Sequence, residues 1–202
     1  MKENRVITFL ATLLSVIFHP IFLFFYLVLY LLNFTDIFML YRYSPHLWML
    51  LLYVFLNTIA IPMILILFYS RDLMMRDKEK RTVPYLIMIV VYSFMLFFFL
   101  KVYISALVLR FLIALIIGLI SLLIINFYYK PSMHTFAMGT LIAFFIRIYF
   151  MQSGMYYYHL MAVIIIAGIV GSARLLLESH TNYEIASGYG IGLLAGLVVL
   201  FV

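Results

Sequence analysis

The sequence predicts an all-α protein, a polytopic transmembrane helix bundle of six to seven spans. Of its 202 residues, 68% are hydrophobic and only 10% are charged, and the mean hydropathy is +1.22. Soluble domains are about 45–50% apolar and about 25% charged, so this chain has too few polar side chains for a water-facing surface. Its apolar runs approach the roughly 20 residues that one helical crossing requires. We interpret residues 1–202 as a single integral membrane domain.

The first apolar run covers about 6–32 and is interrupted only by His19 and Pro20. It follows a short charged segment, as a signal peptide does, but it exceeds the roughly 7–15 apolar residues of a signal core and has no small-residue cleavage site. We therefore expect a retained span. Because Pro20 lacks a backbone donor, a kink is expected there, and we interpret His19 as a packing or kink-associated residue.

The remaining spans are predicted from apolar runs that do not alternate with polar residues, as membrane β-strands would. These runs lie at about 47–69, 84–104, 106–128, 134–151, 157–173 and 185–202. The last run contains Gly188, Gly192 and Gly196 at four-residue spacing, which favours close helix packing in lipid.

Charge is concentrated in three polar segments, 71–81, 130–135 and 173–184, the first of which holds eight of the 20 charged residues. Taken alone, the first segment is typical of a solvated loop. However, two spans separate each segment from the next, so all three are predicted to emerge on one side of the membrane. Ionisable groups near membrane depth are costly and therefore candidates for function. We expect the three segments to converge.

The second and third segments contain groups suited to anion chemistry. Ser132 and His134 lie at a predicted helix start, where backbone donors and the helix dipole favour an anion. His180 and Glu184 are four residues apart, which places them on one face of a helix. A carboxylate so placed holds one imidazole nitrogen and leaves the other as a base or nucleophile.

These motifs resemble those of the type 2 phosphatidic acid phosphatase superfamily, which occur in the order Lys-x6-Arg-Pro, Pro-Ser-Gly-His and Ser-Arg-x5-His-x3-Asp. The second motif corresponds to Pro131-Ser-Met-His134, and the third to Arg174, His180 and Glu184. The first is degraded, with Arg81-Thr-Val-Pro84 in place of Arg-Pro. The phosphatase-like motifs thus lie within residues 71–184.

The sequence also departs from the family pattern. Met74 occupies the expected position of the lysine, Met133 that of a glycine, Ala173 that of a serine and Glu184 that of the aspartate. Ser172 is adjacent to the serine position. The substitutes available for the missing lysine are Arg71, Arg76, Lys78 and Lys80.

The resemblance implies a role for each matching residue. His180 would be the nucleophile that forms a phosphohistidine, Glu184 would orient it, and His134 would be the general acid that later activates water. The predicted phosphate-binding residues are Arg81, Ser132, Arg174, Lys80 and Arg76. Phosphoryl transfer depends mainly on positioning and charge neutralisation, and no metal or other cofactor is expected.

The predicted function is hydrolysis of a lipid phosphate or diphosphate monoester, such as phosphatidate, phosphatidylglycerophosphate or a polyprenyl diphosphate. An alternative is a catalytically weak or inactive relative that binds or transports a phosphorylated lipid, and a third is a small channel or transporter. The expected partners are this lipid and the surrounding membrane lipids. The formal charge of +6 does not indicate a nucleic-acid partner, because basic residues in membrane proteins chiefly report topology. The sequence does not predict the oligomeric state.

The distribution of basic residues predicts the side of the membrane. Nine lie on the side of the three segments and four on or toward the other. The positive-inside rule then favours the cytoplasmic face, and the resemblance implies a bacterial inner membrane.

Overall fold

The computed structural model describes residues 5–70 and 79–202. These residues fold into a helical bundle and include no β-strand. The helices are α1 (Arg5–Ile17), α2 (Pro20–Phe34), α3 (Met39–Arg42), α4 (Leu47–Phe55), α5 (Ile61–Ser70), α6 (Thr82–Phe99), α7 (Ala106–Asn126), α8 (Met133–Met151), α9 (Tyr157–Leu176) and α10 (Asn182–Phe201). A π-helical turn at Leu56–Ala60 joins α4 to α5, and a 3₁₀ turn at Glu79–Arg81 precedes α6.

The all-α membrane fold is confirmed. Six helices are long and apolar enough to cross a membrane, namely the continuous α4–α5 segment and α6 to α10. The bent pair α1 and α2 raises this number to seven if it forms one span. The protein is therefore an integral membrane protein. We call the end of the bundle at which α6, α8 and α10 begin the proximal end, and the opposite end the distal end.

The first predicted span is two helices whose axes differ by 62°, a sharper change of direction than the predicted kink. His19 has extended backbone angles, φ −64° and ψ 135°, and caps the start of α2. Pro20 is the first residue of α2, where its missing N–H costs no helical hydrogen bond. The pair His19-Pro20 therefore ends one helix and begins another.

Three span boundaries differ from the sequence prediction by three residues or more. Helix α6 ends at Phe99, five residues early, because the chain already turns toward α7. Helix α9 extends to Leu176, which places Arg174 in its last turn. Helix α10 begins at Asn182, three residues early, because Thr181 and Glu184 form a capping box there.

Exposed aromatic side chains stand at both ends of the bundle, as expected for membrane-interface belts. They are Tyr43, Trp48, Tyr103 and Tyr158 at the distal end and Tyr128 and Tyr183 at the proximal end.

Helix α8 is the most buried of the described spans, and its closest partner is α10. The predicted packing glycines explain this closeness. A Cβ atom at Gly192 would collide with the Phe136 carbonyl, and one at Gly188 would collide with the Ser132 carbonyl. The two backbones thus approach through the glycine face, and this contact holds the starts of α8 and α10 side by side.

Gly192→Ala is expected to destabilise the protein, because the new methyl group meets the backbone of α8 and no side chain can move aside. Overpacking of this kind costs about 1–3 kcal/mol. Thermal unfolding in detergent measures the effect. The matched control is Gly190→Ala, since a Cβ atom at Gly190 has no neighbour within 4 Å. Equal unfolding temperatures for the two variants would contradict the close approach.

Candidate active site

A cavity at the proximal end brings together residues from all three polar segments. It encloses about 590 Å³ of space free of protein atoms, including its open mouth. Arg81, His134, Arg174 and His180 all line it. These residues are only 5%, 6%, 3% and 7% exposed, respectively. The described parts of the three segments therefore converge, as the sequence predicts, and they do so below the surface.

Three hydrogen bonds to backbone carbonyls hold the second segment against the third. The Ser132 amide donates to the Glu184 carbonyl at 3.0 Å, and the Thr135 hydroxyl donates to the Ile185 carbonyl at 3.0 Å. The Lys130 ammonium donates to the Ser179 carbonyl at 3.5 Å. These bonds tie the start of α8 to the start of α10.

His180 and Glu184 form the predicted pair. The distance between His180 Nδ1 and Glu184 Oε2 is 3.0 Å. Because a carboxylate only accepts hydrogen bonds, Nδ1 carries the proton and Nε2 keeps its lone pair. The same carboxylate oxygen accepts the Thr181 amide at 3.0 Å, which fixes its position. Glu184 therefore serves both the helix cap and the orientation of His180.

The surroundings of His180 keep its ring neutral. Burial and, to a smaller extent, the positive charges of Arg81, Arg174 and Lys130 together lower the pKa of His180 from 6.5 to about 3. At neutral pH the ring is therefore unprotonated at Nε2. An unprotonated imidazole nitrogen is the form that acts as a nucleophile.

We expect the ¹⁵N resonances of His180 to report a neutral ring throughout pH 5–7.5, with Nδ1 protonated. The unfolded chain protonates this residue near pH 6.5, whereas the folded pKa is about 3. Between these values the unfolded state binds more protons, so the contribution of His180 to the free energy of unfolding falls as the pH is lowered. A ring that titrates near pH 6.5 in the folded protein would contradict this environment.

A hydrogen bond to α1 fixes the position of the His134 ring. Its Nε2 lies 3.1 Å from the Ser15 carbonyl oxygen. Since a carbonyl only accepts, Nε2 carries a proton, and Nδ1 is the nitrogen left to exchange one. A general acid–base role for His134 would therefore use Nδ1.

Arg81 and Arg174 give the cavity its positive charge. Arg81 precedes α6 and donates from Nη1 to the Pro131 carbonyl at 3.3 Å. Burial lowers the pKa of Arg81, but arginine remains charged in proteins. Burying two guanidinium groups is costly, and an anion bound in the cavity would offset that cost.

The other predicted phosphate-binding residues are placed differently. The Ser132 hydroxyl is fully buried and has no hydrogen-bond partner among residues 5–70 and 79–202, while its amide is engaged by Glu184. Lys80 has an exposed side chain and does not line the cavity. Arg76 lies outside the described residues, as do Arg71 and Lys78.

Two departures from the family pattern are visible in the site. Met133 lines the cavity, so its side chain occupies space that a glycine would leave open. Ser172 does not replace the missing serine, because its exposed hydroxyl donates to the Gly168 carbonyl on the outer face of α9.

Apolar side chains line the same cavity as the charged groups. They come from α2, α5 and α6 and are Ile21, Ile66, Pro84 and Met88. We call these four side chains the apolar wall. The cavity therefore combines cationic groups with an apolar wall, a combination suited to a ligand with a charged head and a hydrocarbon part.

His19 also lines the cavity, which the sequence does not predict. Its ring contacts that of His134 edge to face, with centroids 5.2 Å apart and planes at 87°. The only sequence signal was its position beside Pro20, which favours a structural interpretation. The 62° bend is what brings it to the site.

Comparisons of the chain with protein-family models, with curated proteins and with solved structures find no match.

Proposed function

We propose that the protein is a phosphatase that hydrolyses the phosphate or diphosphate monoester of a membrane lipid. The observation that carries this proposal is the cavity that joins Arg81 and Arg174 to His134 and His180, with His180 oriented by Glu184. Two buried cations favour a multiply charged anion, and a neutral, oriented imidazole supplies a nucleophile.

In the proposed first step, His180 Nε2 attacks the phosphorus atom and forms a P–N bond. The bond between phosphorus and the leaving oxygen breaks, and its electron pair stays on that oxygen. The oxygen takes a proton from Nδ1 of His134, which is doubly protonated while the phosphate dianion is bound beside it and whose Nε2–H stays on the Ser15 carbonyl. The products are the free leaving group and a phosphohistidine at position 180.

In the second step, a water molecule attacks the phosphorus atom while His134 Nδ1 accepts its proton. The P–N bond breaks, its electrons return to His180, and inorganic phosphate leaves. Arg81 and Arg174 neutralise the phosphoryl oxygens through both steps, which is the largest contribution that proteins make to such reactions. Glu184 stabilises the positive charge that His180 acquires.

The proposed mechanism assigns charge neutralisation to protein cations and requires no metal. Among the described residues, His, Asp and Glu side chains form no group of three that would hold a metal ion. Phosphate release in EDTA is therefore part of the proposal and is tested with it.

The apolar wall supports a lipid as the substrate. Pro84 and Met88 on α6 and Ile66 on α5 face the same space as Arg81 and His180, so a hydrocarbon segment next to the phosphate would bury apolar area. Each buried CH₂ contributes about 0.8 kcal/mol. A soluble phosphate ester lacks this contribution.

The test is phosphate release by the purified protein in detergent with EDTA, from phosphatidate, phosphatidylglycerophosphate and a polyprenyl diphosphate. We expect release from at least one of these and a lower kcat/KM for glycerol phosphate, which has the same reacting group without the hydrocarbon. Binding of all three without turnover would overturn hydrolysis and favour the alternative of a lipid-binding or lipid-transporting protein.

We further propose that the protein spans a bacterial inner membrane and that its proximal end faces the cytoplasm. The proposal rests on the sequence, which predicts nine basic residues on the side of the three polar segments and four on or toward the other. Helix α10 begins at the proximal end and ends at Phe201 on the distal side. A reporter fused to the C-terminus is therefore expected outside the cytoplasm, and a cytoplasmic reporter would place the site outside.

A further inference from the structure

His19 reaches the site from the opposite end of the sequence to the three polar segments. It lies in the break between α1 and α2, and its ring lines the same cavity as Arg81, Arg174 and His180. Its position is fixed locally, because Pro20 begins α2 directly after it and the Ile21 amide donates to its side chain. The bend thus forms one wall of the site.

The hydrogen bond within the bend determines which ring nitrogen of His19 is protonated. The Ile21 amide donates to His19 Nδ1 at 3.3 Å. A nitrogen that accepts a hydrogen bond carries no proton, so in the neutral ring the proton is on Nε2. His19 therefore carries its N–H donor on Nε2, in a ring that lines the cavity.

A second contact holds the bend against α8. His134 Nε2–H donates to the carbonyl of Ser15, which lies in the last turn of α1, where helix carbonyls lack partners within the helix. The rings of His134 and His19 are then in edge-to-face contact. The residue that we assign as the acid–base catalyst therefore also anchors the segment that carries His19.

We propose that His19 is a substrate-binding residue, which donates its Nε2–H to an oxygen of the phosphate group held by Arg81 and Arg174. This inference rests on the proposed function for the identity of the ligand as a phosphate. A neutral donor adds a hydrogen bond without a further positive charge, so it does not raise the cost of burying charge in the cavity. Hydrogen bonds to charged groups are roughly twice as strong as those between neutral groups.

A purely structural role for His19 makes a different prediction. If the residue served only to cap α2, asparagine would replace it, because asparagine is among the best N-cap residues. The side chain of asparagine is too short to keep the cap and also present the donor of an imidazole ring. His19→Asn therefore separates the two roles, whereas His19→Ala removes both.

The test uses the full chain in detergent, with inorganic phosphate as the probe. We expect His19→Asn to unfold at the wild-type temperature but to bind phosphate about 10- to 100-fold more weakly, as loss of one charge-assisted hydrogen bond implies. In the wild-type protein, phosphate is expected to shift the ¹⁵N–¹H signal of His19 Nε2. The matched control is His46→Asn, since His46 is exposed and precedes α4 at the distal end.

Two results would overturn the inference: wild-type phosphate affinity in His19→Asn, or no phosphate binding by the wild-type chain. The outcome is separable from that of hydrolysis, because phosphate binding needs no turnover. A chain that binds phosphate through His19 yet releases none from lipid phosphates retains the inference and loses the proposed reaction. A chain that hydrolyses them with an unchanged KM in His19→Asn retains the reaction and loses the inference.

Discussion

His180→Ala is expected to lower phosphate release by about 10⁴-fold or more. Removal of a nucleophile takes away the covalent route itself, and single substitutions of this kind cost enzymes several orders of magnitude. The structure supports this role, since Glu184 fixes Nδ1 at 3.0 Å and leaves Nε2 unprotonated beside two guanidinium groups. The measurement is kcat/KM for the preferred lipid phosphate.

The control for this variant is His46→Ala, which removes an exposed imidazole. His46 lies 20 residues before the cavity residue Ile66, at the far end of the continuous α4–α5 segment. At 1.5 Å per residue the separation is about 30 Å. We expect this control to retain wild-type activity. Phosphate release by His180→Ala within about tenfold of wild type would show that another group performs the attack.

Arg174→Met is expected to lower kcat/KM by about 10²–10³-fold, the usual effect of losing one positioned donor to the transition state. Arg174 lies in the last turn of α9 and is 3% exposed, and it lines the cavity together with His180. The kcat/KM of Arg174→Lys is expected to lie between those of the wild type and Arg174→Met. Lysine keeps the positive charge but lacks the two-pronged donor geometry of the guanidinium. Steady-state kinetics of the three proteins checks this order.

Arg147→Met is the matched control for Arg174. Arg147 lies 13 residues beyond His134 on α8, about 20 Å along the helix axis, and its guanidinium lies 5.2 Å from the centre of the Phe201 ring. We expect its loss to leave kcat/KM within a few-fold of wild type. Equal effects of the two arginine substitutions would contradict a direct role for Arg174.

Most of the fold follows from the sequence because lipid imposes a simple rule on it. Uninterrupted apolar runs of about 20 residues must form helices that satisfy their own backbone groups, and alternate connections then emerge on the same side. The approach of Arg81 to Pro131 and of Ser132 to Glu184 follows from that alternation. The spacing of Gly188 and Gly192 likewise predicted the close packing that the structure confirms.

Two features were not predicted from the sequence. They are the early start of α10 and the contact between His19 and His134. Thr181 and Glu184 form a capping box, which begins α10 three residues before its apolar run. The contact between His19 and His134 spans more than 100 residues and exists only because α1 and α2 differ by 62° in direction. No periodicity in the sequence encodes that angle. The predicted role of Arg76 stays a prediction, since the residue lies outside the described part of the chain.

The central claim is that phosphate passes through His180, and trapping of the covalent intermediate tests it most directly. The purified protein is mixed with ³²P-labelled lipid phosphate, denatured in alkali and digested, since a phosphoramidate survives alkali and is cleaved by acid. The proposal predicts an acid-labile label on the peptide that contains His180, and none on the same peptide from His180→Ala. Turnover with no covalent label, or with the label on a different residue, would contradict it.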